Sequence, residues 1–197
     1  MTGTWSRRRG RELVDAIHAA ALEEVAEVGY GRLTMDGIAK RAETARTSLY
    51  RRWPSPAELL LDALAEAHPM ERPAPGADDL RGDLIASLQL MVDWMLSPAG
   101  RAVQGIMSDP RRDPVLVRGL FERVFSAHGG TFTKTVLLHY ARHGHFDEAL
   151  VTPVVADIGE ALVVKHAMDT GMPGPDVLAA IVEQAILPAI GLGPPRP

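Results

Sequence analysis

Residues 44–53 read TARTSLYRRW. On a helix, Arg46, Thr47, Tyr50 and Arg51 gather on one side, while Leu49 and Trp53, four apart, share the other. The polar side carries a definite chemistry. A guanidinium donates two parallel hydrogen bonds to guanine O6 and N7, and a threonine methyl packs on a thymine methyl. Tyr50 and Ser48 suit phosphate oxygens, which set register without reading bases. Thr44 and Ser48 are small enough to let the helix sit deep in a groove, and Arg52 extends the basic end. No nucleophile elbow, P-loop, dinucleotide fingerprint or paired-carboxylate pattern accompanies these residues, so a binding protein without cofactor is expected rather than an enzyme.

A helix of this kind needs a support that holds its apolar side. The spacing of Leu13, Ile17, Ala20, Ala21 and Val28 predicts a helix over 11–28, closed by Gly29. Thr34 is placed to cap a second helix running to about Ala42, with Asp36 in its first turn, where the helix dipole favours an anion. After a short break the polar helix runs from Ala45 to Trp53, where Pro54 stops it. Ser55-Pro56-Ala57-Glu58 forms a capping box, with proline at the first helical position, and opens an apolar helix from Leu59 to Ala67. Helix, break, polar helix is the layout that lays one helix in the major groove of DNA. The open amides after Thr34 supply a phosphate clamp, and Arg7, Arg8 and Arg9 form a basic arm suited to the backbone or the minor groove.

The charge distribution agrees. The chain of 197 residues has a formal net charge of −4, but residues 1–60 carry +2 and the remainder −6. Within residues 30–53, Arg32, Lys40, Arg41, Arg46, Arg51 and Arg52 stand against only Asp36 and Glu43. A basic unit on an acidic body suits a DNA reader with a separate second domain. The chain has no cysteine, which excludes disulfides and thiolate chemistry. No apolar run spans a membrane, and the N-terminal arginines precede no apolar stretch, so a cytoplasmic protein is expected.

Residues 10–65 resemble the tetracycline-repressor (TetR) family. The resemblance rests on Gly29, Thr34, Ile38, Ala39, Ala42, Ser48, Leu49, Tyr50, Arg51, Trp53, Ser55, Glu58 and Leu59. It departs from the family at Glu43 (usually Gly), Ala45 (often a capping Ser), Arg52 (usually His) and Pro56 (usually Lys). The resemblance implies a homodimer on double-stranded DNA with a partly palindromic operator, usually repressing and released by a small-molecule effector. The alternative is a helical small-molecule-binding or scaffold dimer that has lost operator binding.

The expected fold is all-α. Residues 1–58 form a three-helix helix-turn-helix domain, and residues 59–197 a helical regulatory and dimerisation domain. A Pro-rich break at 68–78 precedes helices over about 79–96, 99–108, 114–143, 152–170 and 174–190, with Gly129-Gly130 able to split the long one. Met91, Trp94, Met107, Phe121 and Phe125 suit either an apolar ligand pocket or ordinary core. The resemblance favours a pocket among these helices. His166 fits either a hydrogen-bonded buried histidine or a pocket residue. His139 and His143 are four apart, but no third metal ligand accompanies them, and His128, His145 and Asp147 read as polar surface, so no metal is expected. The last two helices are apolar around most of their circumference and must pack on two sides. Ile158, Leu162, Leu178, Ile181, Val182 and Ala185 are therefore expected at a subunit interface, where the resemblance implies a four-helix contact.

Overall fold

The computed structural model describes residues 10–69, 71–73, 76–126 and 132–193; the arginines at 7–9, His128 and the Gly129-Gly130 pair lie outside them. Every regular element among the described residues is helical. Two compact units emerge. One comprises residues 1–68 and 97–124, the other 69–96 and 125–197. Compactness thus groups the chain differently from a division of roles at residue 58, because the helices of 98–124 pack with the N-terminal ones.

In the first unit, α1 (Arg11–Val28) ends at Gly29, whose φ of 78° needs a residue without a side chain. Thr34 accepts the Gly37 N–H at 3.0 Å and starts α2 (Met35–Arg41). The polar helix α3 spans Arg46–Tyr50, and α4 spans Pro56–Ala67. Ser55 accepts the Glu58 N–H at 3.2 Å, as a capping box requires, but the Glu58 carboxylate turns to Arg123 at 2.6 Å. Two further helices complete the unit. Ser97 caps α6 (Pro98–Ser108), and Asp113 caps α7 (Pro114–Gly119), which runs on into a π-helical stretch, Leu120–Phe125. Helix α1 packs on α2, α4 and α6, and Ile17, Ala21, Ile38, Leu49, Leu60 and Leu64 are buried there. Gly119 lets α7 approach α4, since a Cβ there would come within 2.6 Å of Leu61 Cδ1.

The second unit contains α5 (Leu80–Leu96), α8 (Phe132–Arg142), α9 (Pro153–Thr170) and α10 (Pro175–Ile181). The last continues through a π-helical stretch, Val182–Ile186, into the short α11 (Leu187–Ala189). The helix expected over 114–143 therefore divides, its first part closing at Phe125 and its second starting at Phe132. On α5, Leu84, Leu88, Met91 and Met95 are buried. They meet Leu137, Tyr140, Val163, Leu178, Val182 and Ile186 in one core. Gly159 sets how closely α9 approaches its neighbours: a Cβ would fall 2.7 Å from Thr133 Oγ1 and 3.0 Å from both Leu88 and Ile186. Tyr140 is the main polar fixture of this core. Its hydroxyl donates to Asp83 at 2.8 Å and accepts the Asp79 N–H at 3.0 Å. Among the described residues, no helix is long and apolar enough to cross a membrane.

Candidate nucleic-acid interface

The link between α2 and α3 is tight. The amides of Ala42, Glu43 and Thr44 bond to the carbonyls of Ile38, Lys40 and Ala39 at 2.8, 3.2 and 3.0 Å. This turn drives Glu43 to a φ of 52°, the left-handed region that glycine enters without penalty. The departure from the family pattern at this position thus falls where the backbone most favours glycine.

Helix α3 is shorter than the expected Ala45–Trp53. Ala45 holds the N-cap position and contributes no side-chain bond, and Thr44 does not substitute for it. At the other end the amides of Arg52 and Trp53 both reach the Leu49 carbonyl at 2.9 Å, and the chain turns before Pro54. The short helix is held by its apolar side, as the spacing predicts: Leu49 is fully buried and Trp53 nearly so. Trp53 is also fixed by direction. Its Nε1 donates to Asp62 of α4 at 2.8 Å, and its ring lies 5.4 Å from that of His18 on α1. His18 Nε2 sits 3.3 Å from the same Asp62 carboxylate. Sequence reasoning passed over His18 and Asp62. Their signal is only that each is a polar residue on the apolar side of its helix.

The opposite side of α3 faces outward. Arg46, Thr47, Tyr50, Arg51 and Arg52 are exposed, and Thr44 and Ser48 half-exposed. Tyr50, at 48% exposure, is an aromatic side chain that the fold leaves uncovered. Arg46 is oriented. Its Nη1 donates to both oxygens of Asp36 at 3.0 and 2.9 Å, and its guanidinium carbon lies 5.3 Å from the centre of the Tyr50 ring. The hydrogen bond to Asp36, then the charge of that carboxylate, holds the Arg46 pKa above its ordinary value. Arg52 lines a cleft of about 500 Å3 together with Arg11, His18, Asp62 and Glu66.

One expected member of the basic face has another task. Arg41 bonds to Glu24 at 2.9 Å and also to Glu27, with Glu23 at 3.7 Å, so it joins α2 to α1. Glu23, Glu24 and Glu27 sit three and four apart on one side of α1, a pattern that anticipates a basic helix opposite. Thr34 spends its hydroxyl on the cap, so the amides of Met35 and Asp36 are left as the unbonded donors at the start of α2.

The residues expected around a ligand are divided between the two units. Met107 and Phe121 belong to the first unit, where Phe121 is exposed. Met91, Trp94 and Phe125 belong to the second, and Trp94 meets Phe125 edge-on at 6.2 Å. His166 lies at the end of α9, its Nδ1 2.9 Å from the Gly171 carbonyl oxygen, and it closes the helix C-terminus. A second cleft, about 390 Å3, is lined by Val28, Tyr30, Arg32, Ile106 and Arg112. Neither cleft includes the residues expected to bind ligand. His139 and His143 stack at 4.4 Å, and among the described residues no group of three His, Cys, Asp or Glu could hold a metal ion.

The residues expected at a subunit interface differ in exposure. Leu178, Ile181 and Val182 are buried within their own unit, because α10 turns its apolar side onto α5 and α9. Ile158 and Ala185 are half-buried. The outward apolar side belongs to α9, where Val154, Leu162, Val164 and Met168 are exposed, two of them at 74% and 81%. Periodicity alone could not show which side of each helix its own core consumes.

Comparison with known proteins agrees with this geometry. Residues 17–63 match the family profile of bacterial regulatory proteins, tetR family. An uncharacterized HTH-type transcriptional regulator of Mycobacterium tuberculosis is 27% identical over 187 residues, 94% of this chain and 89% of that protein. A DNA-binding transcriptional repressor, TetR, of Mycobacteroides abscessus is 29% identical over 203 residues, covering 94% and 97%. In fold, the chain is similar to a TetR transcriptional regulator from Agrobacterium tumefaciens, with a TM-score of 0.63 at 19% identity over 91% of this chain and 94% of that one. It is also similar to the fatty acid degradation regulator FadR from Bacillus halodurans, with a TM-score of 0.60 at 17% identity over 92% and 97%. With an anchored helix-turn-helix whose polar side faces outward, residues 17–63 are a DNA-binding domain of the TetR family, and the chain is similar along most of its length to transcriptional regulators of that family.

Proposed function

We propose that this protein is a homodimeric repressor that binds a partly palindromic operator and leaves it when a small molecule binds. It acts in the cytoplasm and catalyses no reaction. The observation that carries this reading is the anchoring of α3. Leu49 and Trp53 are locked into the core while Arg46, Thr47, Tyr50 and Arg51 stand exposed. In this reading Arg46, Thr47 and Arg51 meet base edges, while Thr44, Ser48, Tyr50, Arg52 and the amides behind Thr34 meet phosphates. The exposed apolar side of α9 supports self-association, which two half-sites one duplex turn apart require. The Trp53–Asp62 bond supports a role for α4 as the lever, since movement of α4 pulls directly on the residue that ends the reading segment. Effector binding would shift the population toward a form whose reading helices no longer match successive grooves.

A second reading, a helical binding or scaffold dimer without an operator, is favoured by one observation. The carboxylates of Asp36 and Glu43 both stand exposed beside the reading side. Selection of bound duplexes from a random pool at about 150 mM salt separates the two, because phosphate binding without sequence preference is weakened there. Enrichment of an inverted repeat is expected. No enrichment, with or without added metabolite extract, would leave the second reading standing.

A further inference from the structure

In the first turn of α2, Asp36 meets the first residue of α3, and no other pair of charged side chains joins these two helices among the bonds described. Arg46 gives one nitrogen, Nη1, to both carboxylate oxygens. A guanidinium has five N–H donors in a rigid planar fork. Spending the Nη1 side on Asp36 leaves the edge formed by Nε and Nη2, which is itself a parallel donor pair. The Tyr50 ring, 5.3 Å from the guanidinium carbon, limits how the plane can swing. An exposed arginine otherwise samples many rotamers, and ordering it on binding carries an entropic cost.

We propose that Asp36 is a specificity-determining positioning residue: it fixes which edge of Arg46 is offered to a base and so sharpens recognition of one guanine. The inference rests on α3 being the reading helix. Asp36 itself reads nothing. As an exposed anion near the phosphate clamp, it also repels every duplex alike. On cognate DNA the two effects oppose each other, while on non-cognate DNA only the repulsion acts, which separates positioning from simple charge repulsion.

The test uses the full chain, the duplex selected by the wild type, and a scrambled duplex of equal length. Asp36→Asn is expected to weaken binding to the selected duplex by about tenfold, the worth of one well-oriented arginine contact. It is expected to strengthen binding to the scrambled duplex. Repeating the selection with Asp36→Asn should blur the preference at a single base pair of each half-site. In an Arg46→Ala background, Asp36→Asn should no longer change sequence preference, though its effect on scrambled DNA should persist. Asp36→Glu should recover part of the preference. Thermal melts exclude unfolding as the cause, since the helix-dipole contribution of Asp36 is small. Tighter binding of Asp36→Asn to both duplexes, or an unchanged preference at every base pair, would overturn the inference while leaving the regulator reading intact. Failure of the wild type to select any sequence would remove both.

Discussion

Both compact units bury an apolar core, and they differ in the polar bonds that are added to it. In the first, polar side chains join one helix to another: Arg41 ties α2 to α1, Asp36 holds Arg46, and Asp62 receives Trp53 beside His18. In the second, apolar surface meets across α5, α8, α9 and α10, Tyr140 is the chief buried polar link, and α9 keeps an apolar side uncovered. The contrast fits two tasks. Hydrophobic contact is non-directional, so it stabilises a bundle without fixing where one side chain points. Presenting a short helix to a rigid duplex needs directional bonds.

The largest effect is expected where that distinction is sharpest. Trp53→Ala removes both packing and the bond to Asp62, and should cost about 3–5 kcal/mol in denaturant unfolding. Trp53→Phe keeps most of the packing and should cost far less stability while still weakening binding to DNA. Equal stability losses for the two would show that direction matters more than volume even within the core.

Tyr140→Phe tests the opposite case, a directional bond inside the apolar unit. It should cost about 1–2 kcal/mol, because the buried phenol loses its bond to the half-buried Asp83 carboxylate and the exposed Asp79 amide loses its acceptor. Burial, followed by the hydrogen bond to Asp83, pushes the Tyr140 pKa from 10.0 up to about 12. The folded state therefore holds the phenolic proton more tightly than the unfolded chain. Its contribution is complete below pH 10 and is lost as pH rises toward 12. Thermal melts of the wild type should fall more steeply across that window than those of Tyr140→Phe. Identical slopes would mean that the buried phenol is not what the alkaline transition senses.

The smallest change is expected at the turn. Glu43→Gly relieves the left-handed strain at the cost of some chain entropy, for a net gain of about 0.5–1 kcal/mol. It also removes a carboxylate beside the reading side, so binding to any duplex should tighten. Glu43→Gln keeps the strain and removes the charge. If it tightens binding as much as Glu43→Gly does without raising the melting temperature, strain and charge act separately.

Much of the first unit was legible because its determinants are local. Thr34, Ser55 and Gly29 mark helix ends through bonds to residues three or four positions away, and Leu49 with Trp53 mark a face. What escaped notice was tertiary. The attachment of Arg46 to Asp36, ten residues earlier, follows no helical period. Neither does that of Trp53 to Asp62 and His18. In the second unit the helices themselves were legible, but their orientation was not. Leu178, Ile181 and Val182 carry the same apolar signal as Leu162, yet they are buried in their own core while Leu162 stays exposed. An apolar residue states that it needs covering and leaves open which neighbour covers it.

The brevity of α3 has a consequence that can be counted in information. Five residues at 1.5 Å each span about 7.5 Å, and a duplex rises 3.4 Å per base pair, so a helix of this length laid along a groove faces about two base pairs. Two fully read pairs amount to about four bits, a match that random sequence supplies about once in sixteen positions, whereas a genome presents on the order of a million competing sites, or about twenty bits. On the function proposed above, better contacts from Arg46, Thr47 or Arg51 alone leave that gap open, and most of the address lies in the repetition of the half-site and the length of the gap between its copies.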